Sequence, residues 1–145
     1  MSVEYKKIDD AIFEKIVENY GDWVKKYIII RDDTFAHAAM DRDMPVGFIC
    51  VTPRALAYPL EDIKEAYIED LEVHENYRRQ GIARYLLTSA ETWAAEKGFK
   101  QIRTHHNDEA VAAIKLSNSL NYGLCPWDYW IDGKKYSGYW VAKVL

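Results

Sequence analysis

Apolar residues return at three- and four-residue intervals in three stretches of this chain and alternate with polar residues through much of the remainder. The first helical stretch, DDAIFEKIVENYGDWVKKY, gathers Ile12, Ile16, Val17 and Tyr20 on one side, with Asp9 or Asp10 as its N-cap. The second, RRQGIARYLLTSAETWAAEKG, carries the longest stripe: Ile82, Leu86, Leu87, Ala90, Trp93 and Ala94, with a stop at Gly98. DEAVAAIKLSNSLNY is the third. VEYKKI opens as a strand. TFAHAAMDRDMPVGFICVT reads as a hairpin turning at DRDMP, with Val46 and Phe48, and Cys50 as a third candidate, facing the core. Past the Pro-bounded PRALAYPLEDIKE, strands AYIEDLEV and FKQIRTHH flank the second helix. WDYWIDGKKYSGYWVAKVL reads as a hairpin turning at Asp132-Gly133. This order predicts one α/β domain over residues 1–145, a mixed sheet built around a strand–helix–strand unit at residues 66–106.

A chain of 145 residues is long enough to bury a core. Its apolar runs, such as YIII, are too short to cross a bilayer, and no signal-peptide pattern opens it, so a cytoplasmic location is expected. Cys50 and Cys125 have neither metal-site spacing nor a disulfide framework, and both are expected to pack. A net charge of −4 argues against a broad nucleic-acid surface, which makes the positive charge of YRRQGIAR a local feature. That stretch joins a strand to a helix, whose first N–H groups lack internal partners and carry the positive end of the macrodipole. Gly81 and the small Ala83 let an anion approach the main chain, and the neighbouring arginines suit the outer oxygens of a pyrophosphate. The phosphate loops GxxxxGK[ST] and GxGxxG are absent from the sequence. A solvated loop with exposed arginines is the plain alternative.

Arg78-x-x-Gly81-x-Ala83, placed after YIEDLEV, resembles the [QR]xxGx[GA] loop of the GNAT superfamily of N-acetyltransferases. AIKLSNSLNYG, residues 113–123, is similar to that family's second-helix signature AIxLYxxLGF. The resemblance implies a GNAT fold: a central mixed, mostly antiparallel sheet flanked by helices, with a splayed central strand pair. It makes the anion the pyrophosphate of acetyl-CoA, held by Arg78, Arg79, Gln80, Gly81, Ile82, Ala83 and Arg84. Backbone groups of Leu71 and Val73 would hold the pantetheine arm, and the Leu71 N–H would meet the oxyanion. The acetyl group would pass directly to a primary amine, with no metal and no covalent enzyme intermediate. Glu69 and Asp70 stand where family members often carry the carboxylate that deprotonates the acceptor. Strand alternation puts these two on opposite faces; Glu69 is the first choice as base and Asp70 the second, against a plain reading of both as surface or ion-paired carboxylates.

The chain departs from the family pattern at three places. Ser117 stands where many members carry a tyrosine that protonates the departing sulfur, and serine cannot act as that acid. A thiol with a pKa near ~8.5 leaves tolerably as thiolate, so Ser117 need only hydrogen-bond the sulfur or hold a water. Ala110 replaces an asparagine that usually contacts the pantetheine arm, for which Asn107 could substitute or else cap a helix. Asn121 replaces the glycine of LGF, a mild change. His105 and His106 point to opposite faces, so they form no chelating pair, and most of the aromatic residues of the C-terminal hairpin are expected to pack the core, one or two walling an acceptor pocket. The implied activity is N-acetyl transfer from acetyl-CoA to a small-molecule or peptide amine, by a monomer or homodimer without nucleic-acid or membrane partners. The rival is a catalytically degenerate acetyl-CoA-binding sensor or interaction module.

Overall fold

A computed structural model describes residues 3–145. Strand β1 (Glu4–Lys7) leads to helix α1 (Asp10–Tyr20), followed by β2 (Phe35–Asp41), β3 (Met44–Ala55) and β4 (Lys64–Val73). Helix α2 (Ile82–Glu96), β5 (Gln101–Asn107), α3 (Val111–Ser119), β6 (Gly123–Ile131) and β7 (Lys134–Val144) complete the chain. The strands form one seven-stranded sheet in the order β1-β2-β3-β4-β5-β7-β6, antiparallel except at β4–β5.

Asp9, not Asp10, caps α1, its carboxylate accepting from Ile12 N at 2.8 Å. The helix is shorter than its periodicity predicts. Gly21, at φ 111°, ends it, and Asp22–Lys26 continue as a 3-10 turn. The last hairpin turns at Asp132 and Gly133, both with positive φ as a two-residue type I′ turn requires. Its first strand starts at Gly123, four residues before the predicted start at Trp127.

Two apolar layers sandwich the sheet. Ile12 and Ile16 of α1 bury against Ala36, Ala38, Met40, Phe48 and Cys50 of β2 and β3. On the opposite face, Ile82, Leu86, Leu87, Ala90 and Ala94 of α2 pack on Ile49, Val51, Ala66, Ile68 and Ile102. Cys50 is a packing residue, with burial pushing its thiol up to about 11, whereas Cys125 is exposed on β6 and does not pack as predicted.

Two irregularities make the site. The parallel ladder between β4 and β5 holds at Ala66–Ile102 and Tyr67–Arg103 and stops there, although β4 runs on to Val73 and β5 to Asn107. The strands separate beyond it, with the Thr104 hydroxyl reaching across to Ile68 O at 2.9 Å. On the other side of β4, Asp70 faces Cys50 while Ile68 faces Val51, so Glu69 is the extra residue of a β-bulge.

Candidate functional site

The bulge overrides the alternation that sequence periodicity implies. Asp70 lies opposite Cys50, and Glu69 is bound by Thr52 and Arg54, which share the face of Cys50 on β3. Glu69 and Asp70 therefore lie on the same face, the one that α1 partly covers, and not on opposite faces.

Their surroundings differ sharply. Glu69 Oε1 accepts from the Thr52 hydroxyl at 2.9 Å, and both carboxylate oxygens accept from Arg54 Nη2 at 2.8 Å. Its side chain is 9% exposed. The Arg54 guanidinium also lies 3.7 Å from the Tyr67 ring centroid, which holds it in place. This is a fully engaged ion pair.

Among the described residues, Asp70 has no cation as partner. Its Oδ1 accepts the Leu71 N–H at 2.9 Å, while its buried Oδ2 has no donor. Burial, and then the neighbouring Glu72 carboxylate, push Asp70 up to about 7. A proton on Asp70 resolves the orphaned oxygen, because the neutral carboxyl donates to Glu72. The Tyr20 hydroxyl, at the end of α1, is also buried without a partner, and burial followed by Glu72 and Asp70 raises it to about 12. Glu72, two residues beyond Asp70 on β4, shares its face by alternation, whereas Tyr20 has no sequence signal for the site and is brought there by the packing of α1 over β3.

At the C-terminal end of β4, the chain passes through a 3-10 turn (Glu75–Tyr77) into the arginine loop. Arg79, at φ 62°, and Gly81, at φ 79°, are left-handed, and Gly81 is the N-cap of α2 with no side chain capping the helix. The first intrahelical bond is Tyr85 N to Gly81 O at 2.9 Å, which leaves the amides of Ile82, Ala83 and Arg84 without helical acceptors. The Ile82 side chain itself is core, 2% exposed. Two of the arginines are partly engaged: Arg78 Nε donates to Val73 O at 3.2 Å, and Arg84 Nη2 donates to Ser119 Oγ at 2.9 Å. Arg79 and Gln80 are exposed. Uncapped amides, a left-handed glycine and three arginines beside a strand opening fit a pyrophosphate with an arm entering between β4 and β5.

Ser117 is 3% exposed, and its Oγ stands 3.4 Å from His106 Nε2. Burial lowers the pKa of His106, favouring the neutral ring. Asn107 uses its side chain to accept from Glu109 N at 2.9 Å, a local turn, while Ala110 begins α3 without a side-chain cap. His105 and His106 diverge as predicted: His105 meets Trp127 and Trp140, and His106 meets Ser117. Among the described residues, no group of three or more His, Cys, Asp or Glu side chains is placed to hold a metal, and no helix is long and apolar enough to cross a membrane.

This architecture has known counterparts. A sequence profile of the Acetyltransferase (GNAT) family matches residues 3–122, and the chain belongs to that family. Its fold is similar to that of Arabidopsis thaliana NAA60 in complex with acetyl-CoA, at 17% identity and a TM-score of 0.78, covering 99% of each chain. It is similar to a chain of the NatC complex bound to Gag peptide and CoA, at 20% identity and a TM-score of 0.80, covering 100% of this chain and 99% of that one. The ribosomal-protein-S18-alanine N-acetyltransferase from Escherichia coli aligns at 13% identity and a TM-score of 0.72, covering 99% and 94%. The chain is an acyltransferase of the acetyl-CoA-using GNAT type.

Proposed function

We propose that the chain is an active N-acetyltransferase that moves the acetyl group of acetyl-CoA to a primary amine, with Asp70 receiving the amine's proton. The observation that carries this reading is the contrast between the two carboxylates. Glu69 is committed to Arg54 and Thr52, while Asp70, on the same face and beside the strand opening, keeps a buried, unpaired oxygen and titrates near neutrality. A base poised near the working pH is what the chemistry needs, because an alkylamine with a pKa near ~10.4 arrives mostly protonated. The amides of Ile82–Arg84, with Arg78, Arg79 and Gln80, would hold the pyrophosphate, and backbone groups of Leu71 and Val73 the arm. The Leu71 N–H, now given to Asp70 Oδ1, would turn to the thioester oxygen as charge develops there. The amine nitrogen bonds to the acetyl carbon, its proton passes to the Asp70–Glu72 pair, and the C–S bond breaks with its electrons leaving on sulfur. Support for an amine acceptor also comes from the NatC chain, whose structure holds a peptide alongside CoA.

Thiol release from acetyl-CoA against a panel of polyamines, amino sugars, arylalkylamines, lysine derivatives and free peptide N-termini tests this. Turnover with one class establishes the activity. Acetyl-CoA binding with silence across the panel would favour a sensor over an enzyme. Within an active enzyme, Glu69→Gln is expected to leave the pH profile in place and to stay well short of the ~10²-fold loss that removal of a general base carries. A displaced profile would return the role to Glu69. Ser117→Ala is expected to cost less than about tenfold in kcat, since its hydroxyl is buried against His106 and a thiolate leaves unaided. A loss of ~10²-fold or more would mean that the Ser117–His106 pair works on the sulfur.

A further inference from the structure

On the face that α1 partly covers, the Tyr20 hydroxyl and Asp70 Oδ2 are both buried without a hydrogen-bond partner. They are complementary: the phenol is a donor, and the carboxylate oxygen is an acceptor once Asp70 is ionised. Leaving a buried donor or acceptor unpaired costs more than an average hydrogen bond contributes, so each orphan calls for an explanation. Cross-strand register sets Phe48 of β3 beside Glu72 of β4, and Cys50 beside Asp70. Tyr20 closes α1 immediately before the break at Gly21. Its ring stands edge-on to Phe48, with centroids 5.3 Å apart, and this carries the phenol toward the two carboxylates, whose charge it feels. Burial, then Glu72 and Asp70, raise the hydroxyl to about 12, so it keeps its proton at every working pH.

The other charged and titratable groups around the pair are committed elsewhere. Arg54 and Thr52 bind Glu69. The Cys50 thiol, pushed up to about 11 by burial, stays protonated and lies 3.7 Å from Ile29 O. Arg31, whose charge Cys50 feels, is paired with Asp33 at 2.9 Å. Arg78, the cation that Tyr20 feels, donates to Val73 O and belongs to the proposed pyrophosphate loop. Among the described residues, Tyr20 is therefore the donor beneath α1 that has nothing to donate to.

Resting on the proposed role of Asp70, we infer that Tyr20 is a positioning residue for the base: when the Asp70–Glu72 pair gives up its shared proton, the Tyr20 hydroxyl donates to the pair and holds the Asp70 carboxylate in place. The proton that leaves the pair goes to solvent, and the phenol keeps its own. When the amine's proton arrives on Asp70, the carboxyl again donates to Glu72 and Tyr20 is released. The need for this donor is greatest during transfer. The Leu71 N–H then turns to the thioester oxygen, and Asp70 Oδ1 loses it. Without a replacement, two carboxylates would face each other in a buried pocket, a state that burial and like charge both oppose.

Carbon-13 NMR of the full-length chain, labelled at the aspartate carboxyl carbons, follows the pair with neither cofactor nor acceptor present. The Asp70 signal is the one missing from Asp70→Asn. In wild type its midpoint, which belongs to the coupled pair, is expected near 7. In Tyr20→Phe, which keeps the ring against Phe48, the midpoint is expected about one pH unit higher, the size of shift that losing one hydrogen bond to a charged group carries. This variant is also expected to melt no lower than wild type at pH 5, because the hydroxyl it lacks has no partner while the pair is protonated. In thiol release with whichever panel amine gives the highest kcat/KM, Tyr20→Phe should lose about tenfold at pH 6 and stay within about twofold of wild type at pH 9. A packing loss would lower both values alike. A midpoint that Tyr20→Phe leaves unmoved would overturn the role of Tyr20 and leave the acetyl-transfer reading standing. A wild-type midpoint in the ordinary carboxylate range, or a variant that melts lower at pH 5, would overturn it as well. A raised midpoint in a chain that turns over no amine would uphold Tyr20 as the donor to the pair and sink the activity.

Discussion

Asp70→Asn is expected to lower acetyl transfer about 10²- to 10³-fold and, at the same time, to stabilise the protein above neutral pH. The two effects share one cause. In the free chain Asp70 is held up to about 7 by burial and by Glu72, so its ionised form is disfavoured by the fold. For turnover this means that activity rises as pH climbs through about 7, when the carboxylate becomes available to take a proton. Asparagine copies the protonated state, donating to Glu72 and still accepting from the Leu71 N–H, but cannot act as a base. The neutral limb of the pH–rate profile should therefore vanish, leaving only the rise set by the amine itself.

The sign for stability is opposite. An acid whose folded pKa exceeds its unfolded value contributes fully below the unfolded pKa, and that contribution is lost as pH rises through the folded value. The window here runs from about 4 to about 7. Wild type and Asp70→Asn should melt together near pH 4, while at pH 8 the variant should gain on the order of 1 kcal/mol, or roughly 3–5 °C. Differential scanning calorimetry and thiol release at both pH values check this. A variant that keeps full activity at pH 8 sinks Asp70 as the proton acceptor. One that loses activity and also melts lower would point to a packing defect.

How much of this could be read from the residues follows from where each feature's information lies. The stripe from Ile82 to Ala94, the Asp132-Gly133 turn and the Arg78–Gly81–Ala83 loop are local signals, and the structure forms each of them. The separation of β4 from β5 was visible only through resemblance, since nothing in YIEDLEV or FKQIRTHH marks where pairing ends. The bulge at Glu69 has no residue signature. It depends on how β3 and β4 register over their whole length, and alternation necessarily assigns Glu69 and Asp70 to the wrong relative faces. The Arg54–Glu69 pair spans fifteen positions and the Arg103–Glu65 pair thirty-eight, beyond any local pattern. The terminal aromatics read as core because large rings usually are, yet β6 is an edge strand with no layer above it.

Gly81→Glu is expected to weaken acetyl-CoA binding by ~10³-fold or more while the domain stays folded. Nothing lies within 4 Å of the position a Cβ would take, so no steric clash with the protein opposes the substitution. The cost to the fold is the left-handed backbone, φ 79°, on the order of 1–2 kcal/mol for a non-glycine residue. Open space in the free protein is where the pyrophosphate would come closest to the main chain, and a carboxylate placed there occupies it with like charge. The new side chain could also fold onto the amides of Ile82–Arg84, satisfying the donors that the pyrophosphate would otherwise take. Gly81→Ala separates the two costs, because it carries the same backbone strain without the charge; its affinity should fall by no more than about tenfold. Isothermal titration with acetyl-CoA on both variants, alongside their melting curves, decides the matter. If Gly81→Glu binds like wild type, the arginine loop is not the pyrophosphate site. If Gly81→Ala fails as badly as Gly81→Glu, the left-handed turn, and not the approach of the anion, is what the glycine supplies.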